Sequence, residues 1–533
     1  MAESPSLTRL AESYLDLRWH FDPVEASGAG VTLHDGRLGS FGEEQVREHV
    51  AALRALHGAL EELSLDDLED EIDRTALLND ARVLIHRFTT ETPHRRDPSF
   101  WVSHALEGLY QMLIARDRSA GRRAAAALRR LEALPAFLDE ARATLAPDCP
   151  RVFVQTGAEV ARAGWSLVAE LARAYGGTDG VRDAAAAAGA ALERFAGELE
   201  LMAERSPAAG YAVGEQALNF RLSYQHAIRS TAVEALRYGR RLVEEVEAEL
   251  EQMARRLRPG ASWRDVAQRL RDEHPPPADL VDAYSGAMER ARRFVEERGL
   301  VSLPDGALEV TATPDYLRPL IPLAAYLPPG AFSTDRAGRF FVSTPDGSRD
   351  GESLRDHCTH EIPATALHEG YPGHHLHFLT AQASPRVVRR VIYSPATVEG
   401  WALYCEDMMG TEGFYRSAEE RLFQRIALLW RALRIVLDVG LHTGTLPYEE
   451  AVRMVRERMG YSASHAESEV RRACAEPAYQ LGYALGRREL LALREAYARA
   501  AGADYSLRGF HDAVLRYGGL PVSLMRWGMR LDG

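Results

Sequence analysis

Between about Phe41 and Leu300 apolar residues return at three- and four-residue spacing almost without a break. A chain patterned this way buries its apolar stripes by packing helix against helix. RRAAAALRRLEALPAFLDEARATLA (122–146) and DAAAAAGAALERFAGELELMAERS (183–206) carry the pattern most clearly, with Ala-rich, Arg- and Glu-studded faces. APDCPR (146–151), DEHPPP (272–277) and LPDG (303–306) read as helix boundaries. Periodicity lapses between about Ser302 and Cys358, where Pro, Gly, Thr and aromatics gather, and GRFFVSTPDG (338–347) is the best strand candidate. The fold expected is mainly α with a small β element. Residues 1–300 would form a helical N-terminal lobe, and residues 301–533 a catalytic helical region in one continuous fold.

Composition narrows the function classes. The formal charge of −13 argues against a nucleic-acid surface, which needs clustered positive charge. All 64 basic residues are arginine. Schiff-base catalysis, pyridoxal phosphate anchoring and the P-loop lysine are thereby excluded, since each needs an amine that this chain lacks. Cys149, Cys358, Cys405 and Cys474 lie far apart with no CxxC spacing, so neither a disulfide framework nor a thiolate zinc site is expected. The opening MAESPSLTRLAESYLDLRWHF is acidic and helix-periodic, unlike an export signal, and no run of 18 apolar residues follows. The expectation is a cytoplasmic protein with neither membrane nor nucleic-acid partners.

Chemistry concentrates in TALHEGYPGHHLH (365–377), which places four histidines and a glutamate within ten positions from His368. Zinc takes imidazole nitrogen and carboxylate oxygen, and a hydrolytic site keeps one position open for water. The usual short motif is H-E-x-x-H on one helix face. Here Pro372 stands where the second histidine would be, and the next is His374. On a straight helix six residues turn about 600°, which separates the two side chains. Pro372 and Gly373 predict a bulge or break that brings His368 and His374 together as if four apart. His375, back on the first face but about 10 Å along the axis, is the alternative ligand.

SPATVEGWALYCED (394–407) reads as a fresh helix with Ser394 as N-cap and Pro395 at its first position. Glu399 is its first carboxylate and the expected third metal ligand. Glu406, seven residues on and on the same face, would orient a ligating histidine. Tyr479 and Tyr483 are four apart and would share a face of a helix kinked at Pro477, with Gly482 and Gly486 permitting close approach to a neighbour.

HEGYPGHHLH followed by EGWALYCED closely resembles the bacterial family known as domain of unknown function 885. The likeness extends to PAYQLGYALGRRELLALR (477–494), to SLRGFHDAVLRYGGLPVSLM (506–525) and, more weakly, to VTLHDGRL (31–38). It is similar, more distantly, to helical metallopeptidases of the thimet oligopeptidase and oligoendopeptidase type. That resemblance implies a two-lobed helical fold with the β element near the cleft, favours His374 over His375, and gives Tyr483, with Tyr479 possible, the role of oxyanion donor. His511 matches the family as a further polar residue, either a hydrogen-bond donor near the zinc or the cap of a packed helix.

Together these readings give an expected metal-dependent hydrolase of peptides or small amides. One Zn²⁺ per chain would be held by His368, His374 and Glu399, with manganese, iron or cobalt as other occupants. Glu369 would be the general base, with Tyr483 and His511 assisting. The strand near Arg339 to Ser343 would lend an edge to an extended peptide, and Arg487, Arg488 or Arg508 would hold a C-terminal carboxylate. The alternatives are a metal enzyme acting on a small biosynthetic metabolite and a helical binding protein with a vestigial site.

Overall fold

The computed structural model describes residues 5–314, 321, 323–344 and 352–531. It is mainly α-helical. Two compact units divide the chain: residues 1–212 with 330–335, and residues 213–329 with 336–533. The break at 212/213 lies well before the expected lobe boundary at 300, because the long helix Ala232–Leu257 packs against Ala418–His442 and so joins the second unit. Among the described residues no helix is long and apolar enough to cross a membrane.

The first unit is built from long helices. Pro98–Ile114, Ala120–Thr144, Arg151–Tyr175 and Val181–Ala203 pack on one another through the small and aliphatic residues that set their periodicity. APDCPR falls between two of them, as its composition predicts. All four cysteines are buried and unpaired.

The second unit carries the chemistry. Two of its helices start on reciprocal capping boxes, Thr231 with Glu234 and Ser262 with Asp265. A three-stranded sheet interrupts the helices, with β1 (Leu308–Ala312) parallel to β3 (Gly338–Val342) and β2 (Ala324–Leu327) antiparallel to it. The strand expected from GRFFVSTPDG is therefore β3; residues 345–347 of that segment lie outside the described residues. β3 is the middle strand. Both its edges are taken, so it has none to lend a peptide, contrary to the expectation for Arg339 to Ser343.

Phe340 and Val342 of β3 join Leu280, Tyr284 and Met288 of Leu280–Arg298 in one core, completed by Ile362 and Ala366 of Ile362–Glu369. These last two are four apart and share a face. Burying them fixes the rotation of the short helix that carries His368.

Candidate metal centre

The segment HEGYPGHH forms two helices, not one. Ile362–Glu369 ends at Gly370, a cis Tyr371–Pro372 bond follows, and His374–Gln382 begins after Gly373. Gly373 donates its N–H to Leu367 O at 3.0 Å. A Cβ there would run into the carbonyl oxygens of Leu367 and His368, so the chain can fold back over the helix end only with glycine at this position. Pro372 O is tied down by Trp401 Nε1 at 2.8 Å. The outcome is that the His368 and His374 rings stand 4.7 Å apart, nearly perpendicular.

Pro395–Thr411 supplies the carboxylates. Glu399 Oε2 lies 3.3 Å from His374 Nε2 and 3.5 Å from His368 Nε2. Ligand atoms of the three residues all fall within 4.8 Å of one another, and all three side chains are buried. One turn pair further along, Glu406 Oε1 accepts a hydrogen bond from His368 Nδ1 at 2.8 Å. That bond sets the tautomer and leaves Nε2 facing the cluster.

The tyrosines reach the site through an unusually close helix pair. Ala396 and Gly400 face Gly482 and Gly486 of Gly482–Ala501, and a side chain at Gly486 would collide with Ala396 O. The small residues let the two backbones touch. Tyr483 consequently lies nearly parallel to the His368 ring at 6.3 Å. Tyr479 sits in the turn before that helix and not on its face, yet its hydroxyl donates to Glu399 Oε1 at 2.5 Å.

No pattern in the sequence pointed to the residues that hold that turn. Asp438 accepts from Ala478 N–H (3.0 Å) and Leu481 N–H (2.9 Å). His226 donates from Nε2 to Ala478 O at 2.8 Å, and its Nδ1 meets Ser394 Oγ at 2.9 Å. Ser394 occupies the N-cap position as expected, but its hydroxyl serves His226 and caps no backbone N–H.

The charges suit a cation. Glu399 Oε2 is buried without a hydrogen-bond partner. Burial pushes the Glu399 carboxyl up, but His374 and His368 overcome it and hold the group well below the usual carboxylate range. Burial disfavours the His368 cation, yet the neighbouring Glu399 and Glu406 carboxylates bring its pKa up to about 9. A divalent cation satisfies the same donors, and two imidazoles with one carboxylate are a set that zinc accepts. Burial, then the Glu399 charge, raise the Tyr483 phenol above its ordinary value, which keeps it a hydrogen-bond donor at neutral pH. Glu369, half-buried, makes no hydrogen bond or ion pair among the described residues.

Other expected site residues lie elsewhere. His375 turns to Tyr326, whose hydroxyl is 2.9 Å from Nδ1, and is not part of the three-residue cluster. His511 is corrected: Nδ1 donates to Leu300 O at 2.7 Å and Nε2 takes the Tyr404 hydroxyl at 2.8 Å. Both ring nitrogens are used, and the ring braces Trp401 from 5.5 Å. The three arginines expected to hold a carboxylate are also engaged. Arg487 pairs with Asp407, Arg488 with Glu489 and Ser230, and Arg508 with Ser302 and Asp512.

A family model described as bacterial protein of unknown function (DUF885) matches residues 23–529. The chain belongs to this family. No curated protein matches it. Two solved structures share the fold of this family member. One, a candidate lipoprotein of unknown function from Shewanella oneidensis, superposes with a TM-score of 0.82 at 20% identity, covering 99% of this chain and 100% of that one. The other, a candidate lipoprotein from Colwellia psychrerythraea, gives 0.84 at 18% identity, with 99% of each chain covered. The cytoplasmic expectation is overturned by these two solved structures, both described as candidate lipoproteins.

Proposed function

We propose that the protein is a metal-dependent hydrolase that cleaves an amide, most simply a peptide bond, with zinc held by His368, His374 and Glu399. The observation that carries this reading is the buried convergence of those three ligands beside a carboxylate, Glu369, that has no partner of its own. A purely structural ion has no use for such a free carboxylate and favours a closed set of four ligands. The distant resemblance to thimet oligopeptidase-type enzymes points the same way.

Zinc at this site supplies Lewis acidity, which polarises a carbonyl and acidifies water. The protein's own groups do the rest. Glu406 holds His368 through Nδ1, and Tyr479 holds Oε1 of Glu399, so each ligand presents its remaining atom to the ion. Glu369 takes the proton of the attacking water and passes it to the leaving nitrogen. Tyr483 donates its O–H to the oxyanion that develops on the amide oxygen.

The test is to load the purified protein with zinc, incubate it with a mixed peptide library, and assay release of free amines beside Glu369→Gln. Cleavage abolished by the substitution supports the reading. A chain that takes up no metal after reconstitution overturns it, and a zinc-loaded chain that cleaves no peptide moves the reaction to a small non-peptide metabolite.

A further inference from the structure

The Tyr479 and Tyr483 side of the site is walled by arginine. Arg434 and Arg431, one turn apart on Ala418–His442, place their guanidinium carbons 4.8 Å and 5.9 Å from the centre of the Tyr483 ring. Arg472 lies over Tyr479 at 5.4 Å. In a chain of net charge −13, such a concentration of positive charge is not the general character of the surface.

The three cations are not equally satisfied. Arg434 is paired with Glu469 at 2.9 Å. Arg472 has a looser contact with Glu476 at 3.4 Å, one helical turn on and half in solvent. Arg431 has no carboxylate within ion-pair distance among the described residues. Its Nη1 reaches only Ala427 O of its own helix at 3.4 Å, and its Nε is buried without a partner. Glu361 feels the charge of Arg431, but shares it with Arg271 and makes no ion pair with either. A half-buried guanidinium left this way is costly unless an anion completes it.

We infer that Arg431, supported by Arg472, binds a carboxylate of the substrate next to the scissile amide. This rests on the hydrolase reading and names its substrate class: peptides or N-acyl amino acids whose carboxylate lies within a residue of the bond cut. Arg431 and the His368 ring both lie against the Tyr483 ring, 5.9 Å and 6.3 Å from its centre, and the guanidinium fork matches a carboxylate in shape. Two sources carry that group, a peptide's own C-terminus and an acidic side chain.

The test separates binding from turnover. Zinc-loaded Glu369→Gln protein is titrated calorimetrically with acetyl-Ala-Ala, acetyl-Ala-Ala-amide and acetyl-Ala-Asp-amide. The free acid is expected to bind at least tenfold more tightly than its amide. Adding Arg431→Gln brings the acid down to the level of the amide, while Arg431→Lys keeps part of the preference. Metal content and melting temperature of each variant show that the site is intact. If the Asp peptide binds like the free acid, the side chain can supply the carboxylate; if it binds like the amide, the C-terminus does. Equal binding of all three, binding of none, or an acid preference that survives Arg431→Gln overturns the inference. Selective binding in a protein whose zinc-loaded wild type cleaves no peptide leaves the arginine site standing and moves the reaction off peptides.

Discussion

Tyr479 donates its hydroxyl to Glu399 Oε1 at 2.5 Å across 80 residues of sequence. With Oε1 held, only Oε2 turns towards the two histidines. Tyr479→Phe should therefore weaken metal binding about 10- to 100-fold, the usual effect of removing a group that orients a ligand. Tyr483→Phe should leave metal affinity near wild type and lower kcat about 100-fold, as for loss of one oxyanion donor. Competition against a chelator and steady-state kinetics separate the two. Equal loss of metal in both would refute the division of roles.

His368→Ala, His374→Ala and Glu399→Ala should each lose the bound ion, so that elemental analysis falls from about one zinc per chain towards none. His375→Ala, whose Nδ1 is occupied by Tyr326, should keep it. In wild type, zinc at about 100 times its Kd should raise stability by roughly 2.7 kcal/mol. Thermal melts with and without chelator read this directly.

Glu369→Gln should retain the metal and lose about 10²- to 10⁴-fold in kcat, the range for a general base. Residual activity close to wild type would remove Glu369 from the proton path.

Gly486→Ala and Gly197→Ala should have opposite signs. Both are helical glycines, and alanine in a helix is favoured by about 0.5–1 kcal/mol. Gly197 has open space around it, so that gain should appear in denaturant melts. At Gly486 the new Cβ meets Ala396 O. Separating the two helices should cost about 1–3 kcal/mol and lower zinc affinity, since Glu399 and the tyrosines sit on opposite sides of that seam.

His226 should make the fold acid-sensitive. Burial pushes its pKa down from 6.5 to about 4. A histidine depressed in the folded state contributes stability that is present above its unfolded pKa and lost as pH falls through the window from 6.5 to 4, because the unfolded chain binds the proton first. His226→Gln should be less stable at pH 7, but should flatten the decline below pH 6.5 by up to about 1.4 kcal/mol per pH unit. An unchanged slope would mean that His226 already titrates normally in the folded protein.

Much of this was legible in one dimension. Helical periodicity announced Ala120–Thr144 and Val181–Ala203, and APDCPR announced the end of the first. The strand at Gly338–Val342 stood out where that periodicity failed. The residues that converge on the candidate metal site, His368, His374 and Glu399, were visible as ligand types at suggestive spacing, with Pro372-Gly373 as the reason for a break. Spacing misled at Tyr479, because four residues share a face only if a helix runs between them, and here the helix begins at Gly482.

Sequence by itself determined what depends on neighbours along the chain: the helical class, the absence of lysine chemistry, and a histidine and glutamate set able to take a metal. Tertiary structure alone decided which partners each group meets. It put His226 against Ser394 and Ala478, used both nitrogens of His511 on Leu300 and Tyr404, made β3 a central strand, and set Arg431 beside Tyr483 with no ion-pair carboxylate among the described residues. The physical reason is range. Periodicity and capping act over one or two turns, whereas the close approach that Gly482 and Gly486 permit needs a partner, and that partner, Ala396 and Gly400, lies far off in the sequence.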